Sequence, residues 1–350
     1  LHGIYSKYLQ RETYAATLAP IHRAWSLFPE VYTDPAFAKM EKEKVFKQSW
    51  IAIDHSSDHL MKHADVLSTS IGNVPILITN HHGELHGFYN VCRHRGSTLL
   101  KEGKYTKCTV IRCPYHSWGY SCNGKLAGAP YFNDNKMPTN KKQRSNPKLK
   151  NEIGDFEKID FNKEDFGLFE IGVHEFMGTL YVNLDQDKQR RDKLWQYQMG
   201  DLQDNYGHYP YDDMRIVKQF EYTINANWKL IAENFIEYYH LPWVHPELCE
   251  LSSVANHIRR QGQGQYTGIA TYPLTYGGTP ADPDAFQAFK DLNQVDKEAG
   301  WFLQIFPNIS YFIYPHHIAT LITYPTDQPG VTKEKMTILM DKSIKEQLDQ

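Results

Sequence analysis

Four residues with metal-ligand chemistry stand in two short pairs, Cys92-Arg93-His94 and Cys113-Pro114-Tyr115-His116. Each pair follows a run that reads as a strand. Gly96, Pro114 and Gly119 beside them suit tight turns whose backbone N–H groups can face a sulfur. Two such loops, held by their strands, can bring two thiolates and two imidazoles to one point. Zinc is one candidate, because Cys₂His₂ sets build structural zinc sites. Zinc fingers, however, usually pair Cys with Cys and His with His, whereas here each loop supplies one of each. That alternation suits a [2Fe–2S] cluster with two thiolates on one iron and two imidazoles on the other.

A second set lies in the segment Asn227–His245. Its spacing predicts a long helix from near Asn227 into the 240s, with Glu237 and His240 on one face. Pro242 then breaks or kinks the helix, so that His245 can return to the same point. Two imidazoles and a carboxylate are the ligand inventory of non-haem Fe(II) sites, which keep positions open for O₂. Taken alone, a His-x₄-His pair reads first as core or surface histidines.

The two sets together resemble a known family. Cys-Arg-His-Arg-Gly and Cys-Pro-Tyr-His-Ser-Trp resemble the ligand loops of Rieske proteins. Asn-Trp-Lys, Glu-Asn and His-x₄-His recur, in this order, in the catalytic domain of Rieske non-haem iron oxygenases. The resemblance runs from the helix at Pro35 to the final strand. It implies that Cys92, His94, Cys113 and His116 bind a [2Fe–2S] cluster and that His240 and His245 bind a mononuclear iron. Glu237 matches the acidic residue that links to a cluster-ligating His of a neighbouring subunit, which implies a ring-shaped homotrimer. Respiratory Rieske proteins carry a disulfide between the ligand loops; Ser97 and Tyr115 stand in those places here, which resembles the ferredoxin and oxygenase branch. Most ring-hydroxylating members have Asp at the position of Glu237. Glu resembles the branch that oxidises carnitine and similar quaternary amines. The family's third iron ligand is an Asp on a C-terminal helix. Asp341 lies too near the strand end and Asp349 comes a turn early, so this ligand is expected beyond Gln350, with the C-terminal end of the domain missing.

The implied activity is that of a terminal oxygenase. It takes electrons from a separate NAD(P)H-dependent reductase or ferredoxin and uses O₂ to hydroxylate or N-demethylate a small quaternary or tertiary amine of choline, betaine or carnitine type. An aromatic-ring-hydroxylating dioxygenase is the alternative reading, and a non-enzymatic Rieske electron carrier the third. Tyr272, Tyr276, Trp301, Phe302, Tyr311 and Tyr314 fall near possible pocket strands. Their rings could cage an ammonium group or serve as ordinary core.

The elements that must position these residues follow from local patterns. Asp34-Pro35 opens a helix with Phe37, Met40, Val45 and Phe46 as its apolar stripe. Alternating runs predict strands at 49–53, 65–71, 74–79, 85–91, 107–112, 167–174 and 179–184, with Asn80-His81-His82-Gly83 as a hairpin turn. A charged helix is predicted over 187–204, then strands at 215–225, 266–272, 310–314, 318–324 and 335–340. The expected fold is α+β: an N-terminal arm and helix (1–45), an all-β Rieske domain (46–186), and a helix-grip, START-like catalytic domain with an antiparallel sheet (187–350). The polar stretch 133–158, with Lys141-Lys142-Gln143-Arg144 at its middle, reads as an inserted solvated loop or a docking patch for an acidic redox partner.

The composition is compatible with this and closes other routes. With 350 residues and 23% charged, the chain can bury two cores. A net charge of -3 argues against nucleic acid as a partner. No run of about 18 apolar residues is present to span a membrane. Five Cys against 17 His argue against a disulfide scaffold, so a reducing, cytoplasmic setting is expected, with Cys108, Cys122 and Cys249 as buried free thiols. Gly262-x-Gly264 with Gly268 is not a dinucleotide fingerprint, so no nicotinamide or flavin site is expected. His81, His82 and His86 are expected to diverge around their hairpin rather than gather.

Overall fold

The computed structural model describes residues 6–56, 62–130, 161–274 and 288–348. The stretch 133–158, Tyr276 and Asp349 lie outside the described residues. Two compact units emerge: His59–His174, and a larger one joining Leu1–Asp58 to Glu175–Gln350. The strand predicted at 49–53 and the one at 179–184 therefore belong with the larger unit.

The larger unit begins with α1 (Glu30–Thr33) and α2 (Pro35–Glu41). Asp34 caps α2 by accepting from the Ala36 N–H at 2.8 Å, with Pro35 in the first turn. Strand β1 (Ile51–His55) follows.

The smaller unit is built of strands. β2 (Val66–Ile71), β3 (Val74–His81), β4 (Glu84–Tyr89), β5 (Gly103–Tyr105) and β9 (Glu170–Phe176) pair antiparallel in the order β9-β4-β3-β2-β5. A second sheet holds β6 (Val110–Arg112), β7 (Gly119–Ser121) and β8 (Leu126–Gly128). The β3–β4 turn needs a positive φ at both His82 (55°) and Gly83 (93°), the geometry that matches strand twist in a two-residue hairpin. Phe88, Ile111, Trp118 and Tyr120 form the core of this unit, together with Cys92 and Cys113.

In the larger unit β10 (Thr179–Asn183) pairs with β1. Then come α3 (Lys188–Met199), α4 (Leu202–Tyr206), β11 (Met214–Ile224), α5 (Trp228–Phe235), α6 (Leu241–Val244), α7 (Pro246–Leu251), β12 (His257–Gln261), β13 (Tyr266–Thr271), α8 (Gln294–Glu298), β14 (Gly300–Ile305), β15 (Ile309–Ile313), β16 (Ile318–Pro325), β17 (Thr332–Asp341) and α9 (Lys342–Leu348). The strands β11–β17 make one antiparallel sheet in the order β11-β17-β16-β15-β14-β13-β12.

Register assigns the two faces of this sheet. Trp301 lies across from Ile313, and Leu303 across from Tyr311. These residues pack with Trp50, Tyr181 and Met199 into one core. Tyr311 is fully buried and donates to Thr179 Oγ1 at 2.8 Å. The alternate residues Phe302 and Phe312 face the other way, where Phe235 of α5 meets Phe312 edge-on at 4.9 Å. Asn308 ties the sheet to β1: its buried amide clamps both backbone groups of Ala52. Among the described residues no helix is long and apolar enough to cross a membrane.

Candidate metal centres

The two ligand loops of the smaller unit close by the same pair of hydrogen bonds. In the first, Gly96 N–H donates to the Cys92 carbonyl (3.0 Å) and Cys92 N–H to the Ser97 carbonyl (2.8 Å). In the second, Ser117 N–H donates to the Cys113 carbonyl (3.0 Å) and Cys113 N–H to the Trp118 carbonyl (2.8 Å). Both loops place their fifth residue at positive φ, Gly96 at 70° and Ser117 at 61°. Asn90 locks the exit of the first loop: its Oδ1 accepts from the Leu99 and Leu100 N–H groups, and its amide donates to the Leu100 carbonyl and Ser68 Oγ.

This frame sets the four ligand-type side chains. Cys92 and Cys113 are buried, neighbouring and free of disulfides. His94 and His116 are less buried, with ring centroids 4.7 Å apart, and His94 stacks on Trp118. The sulfur side is therefore inside and the imidazole side faces outward. Hydrogen-bond donors converge on the sulfurs: the Tyr120 hydroxyl lies 3.3 Å from Cys92 Sγ, while the Tyr115 and His116 amides and the Ser97 hydroxyl reach Cys113. Burial holds the Cys92 thiol above its ordinary range. At Cys113 burial pushes the same way but the backbone N–H groups prevail, and its pKa is lowered. Paired thiols, donors aimed at sulfur and two outward imidazoles fit a four-ligand iron–sulfur cluster. Cys122 is buried, its Sγ donating to the Cys108 carbonyl, and Cys108 and Cys249 are part-buried.

In the larger unit the helix from Asn227 ends at Phe235, well short of the predicted 240s. Glu237 and His240 are brought together by a turn instead. The Glu237 carboxylate captures the free N–H groups of Tyr239 and His240, and it accepts from His240 Nδ1 through its other oxygen. Binding Nδ1–H in this way leaves Nε2 of His240 as the nitrogen that could take a metal. Pro242 does not break a helix: it sits in the first turn of α6, which His240 and His245 flank at its two ends. The two rings stand 5.6 Å apart at 77°. Within the chain Glu237 thus serves its own His240, a role the spacing did not suggest.

The helix α5 that leads into this turn is anchored at its start. Asn227 caps it through Lys229 N–H and donates to the carbonyls of Tyr32 and Pro329. Lys229 pairs with Glu41 of α2 at 2.8 Å, both side chains nearly buried. Tyr32 donates to Glu233 at 2.7 Å, and Trp228 packs on Phe46. The Asn-Trp-Lys motif is therefore a set of docking bonds. Glu41 and Tyr32 carry no motif of their own and escaped the sequence reading.

Among the described residues, no three ligand atoms within 4.8 Å of one another include those of His240 and His245. Asp341 is taken up as the cap of α9, accepting from Ser343 N–H and Oγ, which holds its carboxyl below the usual range. Of the aromatic pocket candidates, Trp301 and Tyr311 belong to the opposite, core face of the sheet. Phe302 and Tyr314 pack together on the α5 side, and Tyr272 is exposed. A cleft of about 340 Å³ opens by α5 between Trp228, Ala232, Thr267, Gln304 and Phe306. The residues Glu237, His240 and His245 are not in its wall.

An all-β unit presenting a Cys₂His₂ set, with an antiparallel sheet and helix unit presenting a two-histidine centre, defines a two-centre iron protein. The chain belongs to the family of Rieske ring-hydroxylating oxygenase alpha subunits. Residues 49–141 match the Rieske [2Fe–2S] domain and residues 211–347 the catalytic domain of the ring-hydroxylating alpha subunit. The chain is 27% identical over 279 residues to the carnitine monooxygenase oxygenase subunit of Acinetobacter baumannii, covering 79% of this chain and 66% of that protein. The match thus spans just under two thirds of that relative's length. The fold is similar to that of the quaternary ammonium Rieske monooxygenase CntA, with a TM-score of 0.69 at 23% identity over 93% of this chain and 79% of that one. Naphthalene 1,2-dioxygenase from a Rhodococcus species scores 0.68 at 20% identity, over 95% and 77% of the two chains. The domains imply a Rieske cluster and a mononuclear non-haem iron as cofactors.

Proposed function

We propose that the chain is the oxygenase component of a Rieske monooxygenase acting on a small quaternary or tertiary amine of choline, betaine or carnitine type. Cys92, His94, Cys113 and His116 hold the cluster, and His240 and His245 hold the mononuclear iron. The observation that carries the reading is the turn after α5, in which Glu237 fixes His240 so that its Nε2 is offered beside the His245 ring. Glu at this position and the carnitine-oxidising relative favour an amine over an arene. Likeness of fold does not separate the two, since amine and arene oxygenases are matched equally well.

When bound, the metal centres supply O₂ reduction. One oxygen atom enters a substrate C–H bond and the other leaves as water, consuming two electrons from a separate reductase or ferredoxin and two protons. The residues of the chain do the rest. Glu237 accepts the Nδ1 proton of His240 and keeps that ring in one tautomer. The buried Cys92 and Cys113 keep water from the sulfur side, while His94 and His116 face outward. For an N-methyl substrate the hydroxylated carbon departs as formaldehyde.

The test is turnover of the chain with a generic ferredoxin–reductase pair, reading formaldehyde and hydroxylated product separately. Trimethylammonium substrates should be oxidised and naphthalene-type arenes left intact. Arene cis-dihydrodiol formation, without amine oxidation, would replace this reading with the ring-dioxygenase one. Cluster reduction without any O₂-dependent product would leave an electron carrier.

A further inference from the structure

The smaller unit carries a second group of histidines, remote in sequence from the cluster motifs. One ligand atom from each of His63, His81 and His82 lies within 4.8 Å of the other two. The rings of His63 and His82 stack at 4.0 Å, and His81 stands 5.4 Å from the first and 4.6 Å from the second. The expected divergence around the hairpin fails for a specific reason. The tight turn at His82-Gly83 keeps His81 and His82 together, and the chain before β2 is laced alongside β3. Ala64 N–H donates to the Asn80 carbonyl at 2.9 Å, and Asn80 N–H to the Asp65 carbonyl at 3.0 Å. Those two bonds hold His63 against the hairpin.

We propose that His63, His81 and His82 form a binding site for a divalent late transition ion of the Zn²⁺ class, distinct from both iron centres. Three observations beyond the clustering support it. His81 Nδ1 is buried and, among the described residues, has no hydrogen-bond partner. Glu84, paired with His81 across the ladder, brings a carboxylate to the same side. His86, whose ring lies 6.0 Å from that of His81, has a buried Nε2 with no hydrogen-bond partner among the described residues, and Glu84 Oε2 stands 3.7 Å from it. Imidazole suits Zn²⁺, Cu²⁺ and Ni²⁺, and Zn²⁺ needs no redox change to stay bound.

Closure asks little of the chain. Zn–N bonds of about 2.0–2.1 Å set nitrogens roughly 3.4 Å apart in a tetrahedron. Rotation of His63 and His82, both exposed, covers the difference from 4.8 Å. His63 Nδ1 accepts from the His82 N–H at 3.2 Å; taking up the ion releases that bond, and the exposed amide turns to water. The fourth position stays open to water or to Glu84. Bound ion would pin the segment before β2 to the hairpin and so stabilise the smaller unit by mass action.

The probe is Zn²⁺ itself, titrated into the iron-loaded protein by calorimetry with iron and sulfide content followed alongside. One saturable equivalent is expected. It should weaken by more than the roughly 10–100-fold that loss of a mere supporting neighbour costs in both His63→Gln and His82→Gln. The cluster absorption should be unchanged in both variants. Because Zn²⁺ can also enter an iron-free His240–His245 pair, His240→Ala is the control and should retain the equivalent. Co²⁺ at the same site should give the visible bands of a nitrogen-ligated ion, lost in His82→Gln. Absence of a saturable equivalent, or an equivalent that survives His63→Gln and vanishes in His240→Ala, overturns the proposal.

Discussion

The two regions proposed to hold iron are built to opposite standards of rigidity. Around Cys92 and Cys113, each loop is closed by two backbone bonds, the first is clamped by Asn90, and both thiols are buried. Around His240 and His245, the frame is one turn of helix and a carboxylate, and Tyr239 and Trp243 beside them are 84% and 80% exposed. The contrast follows from the chemistry each place is suited to. An electron-transfer cluster gains from a fixed, desolvated sulfur shell. An O₂ site needs ligands that hold from one side and leave positions open.

The largest expected effect tests whether the regions are separable. His240→Ala should remove O₂-dependent product entirely while the visible spectrum of the cluster stays as in the parent protein. Retained turnover would show that the pair at α6 is not the iron site. Loss of both signals would show that the turn holds more than a metal.

The open frame must be stiffened from elsewhere, and the buried Lys229–Glu41 pair is placed to do it. Burial pushes the Glu41 carboxyl up and the Lys229 amine down, while each partner opposes that shift in the other. Truncating one member leaves a buried charge alone. Glu41→Ala should therefore cost about 3–5 kcal/mol, and replacing both with apolar residues should recover most of it. Urea midpoints of the parent, the single and the double variant decide this; a loss below about 1 kcal/mol would make α2 a passive cover.

A pH-sensitive element sits in the connection between β15 and β16. Burial, with His316 beside it, pushes His317 down to about 4. The unfolded chain takes up a proton near 6.5, whereas the folded chain does so only near 4. Stability from this residue is thus whole above about pH 6.5 and lost as pH falls toward 4, by up to ~3 kcal/mol. In His317→Gln the fall in denaturation midpoint over that window should flatten. An unchanged acid limb would assign it to other groups.

How much of each region could be read in advance follows the same contrast. The proposed cluster loops are local: candidate ligands two or three residues apart, with Gly96 and Pro114 as turn signals, so the sequence carries nearly the whole motif; Gly119, expected to turn, opens β7 instead. Ser117 was invisible because a positive φ at Ser has no compositional mark. The iron turn is set by tertiary capture. Nothing in the spacing of Asn227–His245 says that the helix stops at Phe235; the Tyr239 and His240 N–H groups, which a continuing helix would bond internally, go to the Glu237 carboxylate instead. The strands β12 and β14 were also hidden. β12 is a mostly exposed edge strand containing Arg259 and Arg260, of the kind whose charges discourage further pairing. β14 merges with its neighbours in the apolar run 301–324. The gathering of His63 with His81 and His82 depends on β2 and β3 pairing, beyond any local pattern.

On the cluster side, Tyr120 links the sulfur shell to the loop backbone: its hydroxyl meets Cys92 Sγ and accepts from the Arg93 N–H at 3.0 Å. Tyr120→Phe should lower the cluster's reduction potential, since donors to sulfur favour the reduced form. It should also cost about 1–3 kcal/mol for the orphaned amide. Redox titration and thermal unfolding read the two effects separately. An unchanged potential would mean that the hydroxyl serves only Arg93.

The smallest effect probes the likeness of the two loops themselves. Gly96 and Ser117 hold the same place and nearly the same φ, yet only one is glycine. A Cβ built on Gly96 meets no atom within 4 Å, so Gly96→Ala carries only the backbone penalty of the left-handed region, roughly 1 kcal/mol. Ser117→Gly relieves that penalty at the cost of a more flexible unfolded chain, for a net gain of at most about 1 kcal/mol. Opposite signs in the two variants, with unchanged cluster content, would show that the loops share one backbone solution. A loss in Ser117→Gly would mean that the serine side chain contributes something the shared frame does not require.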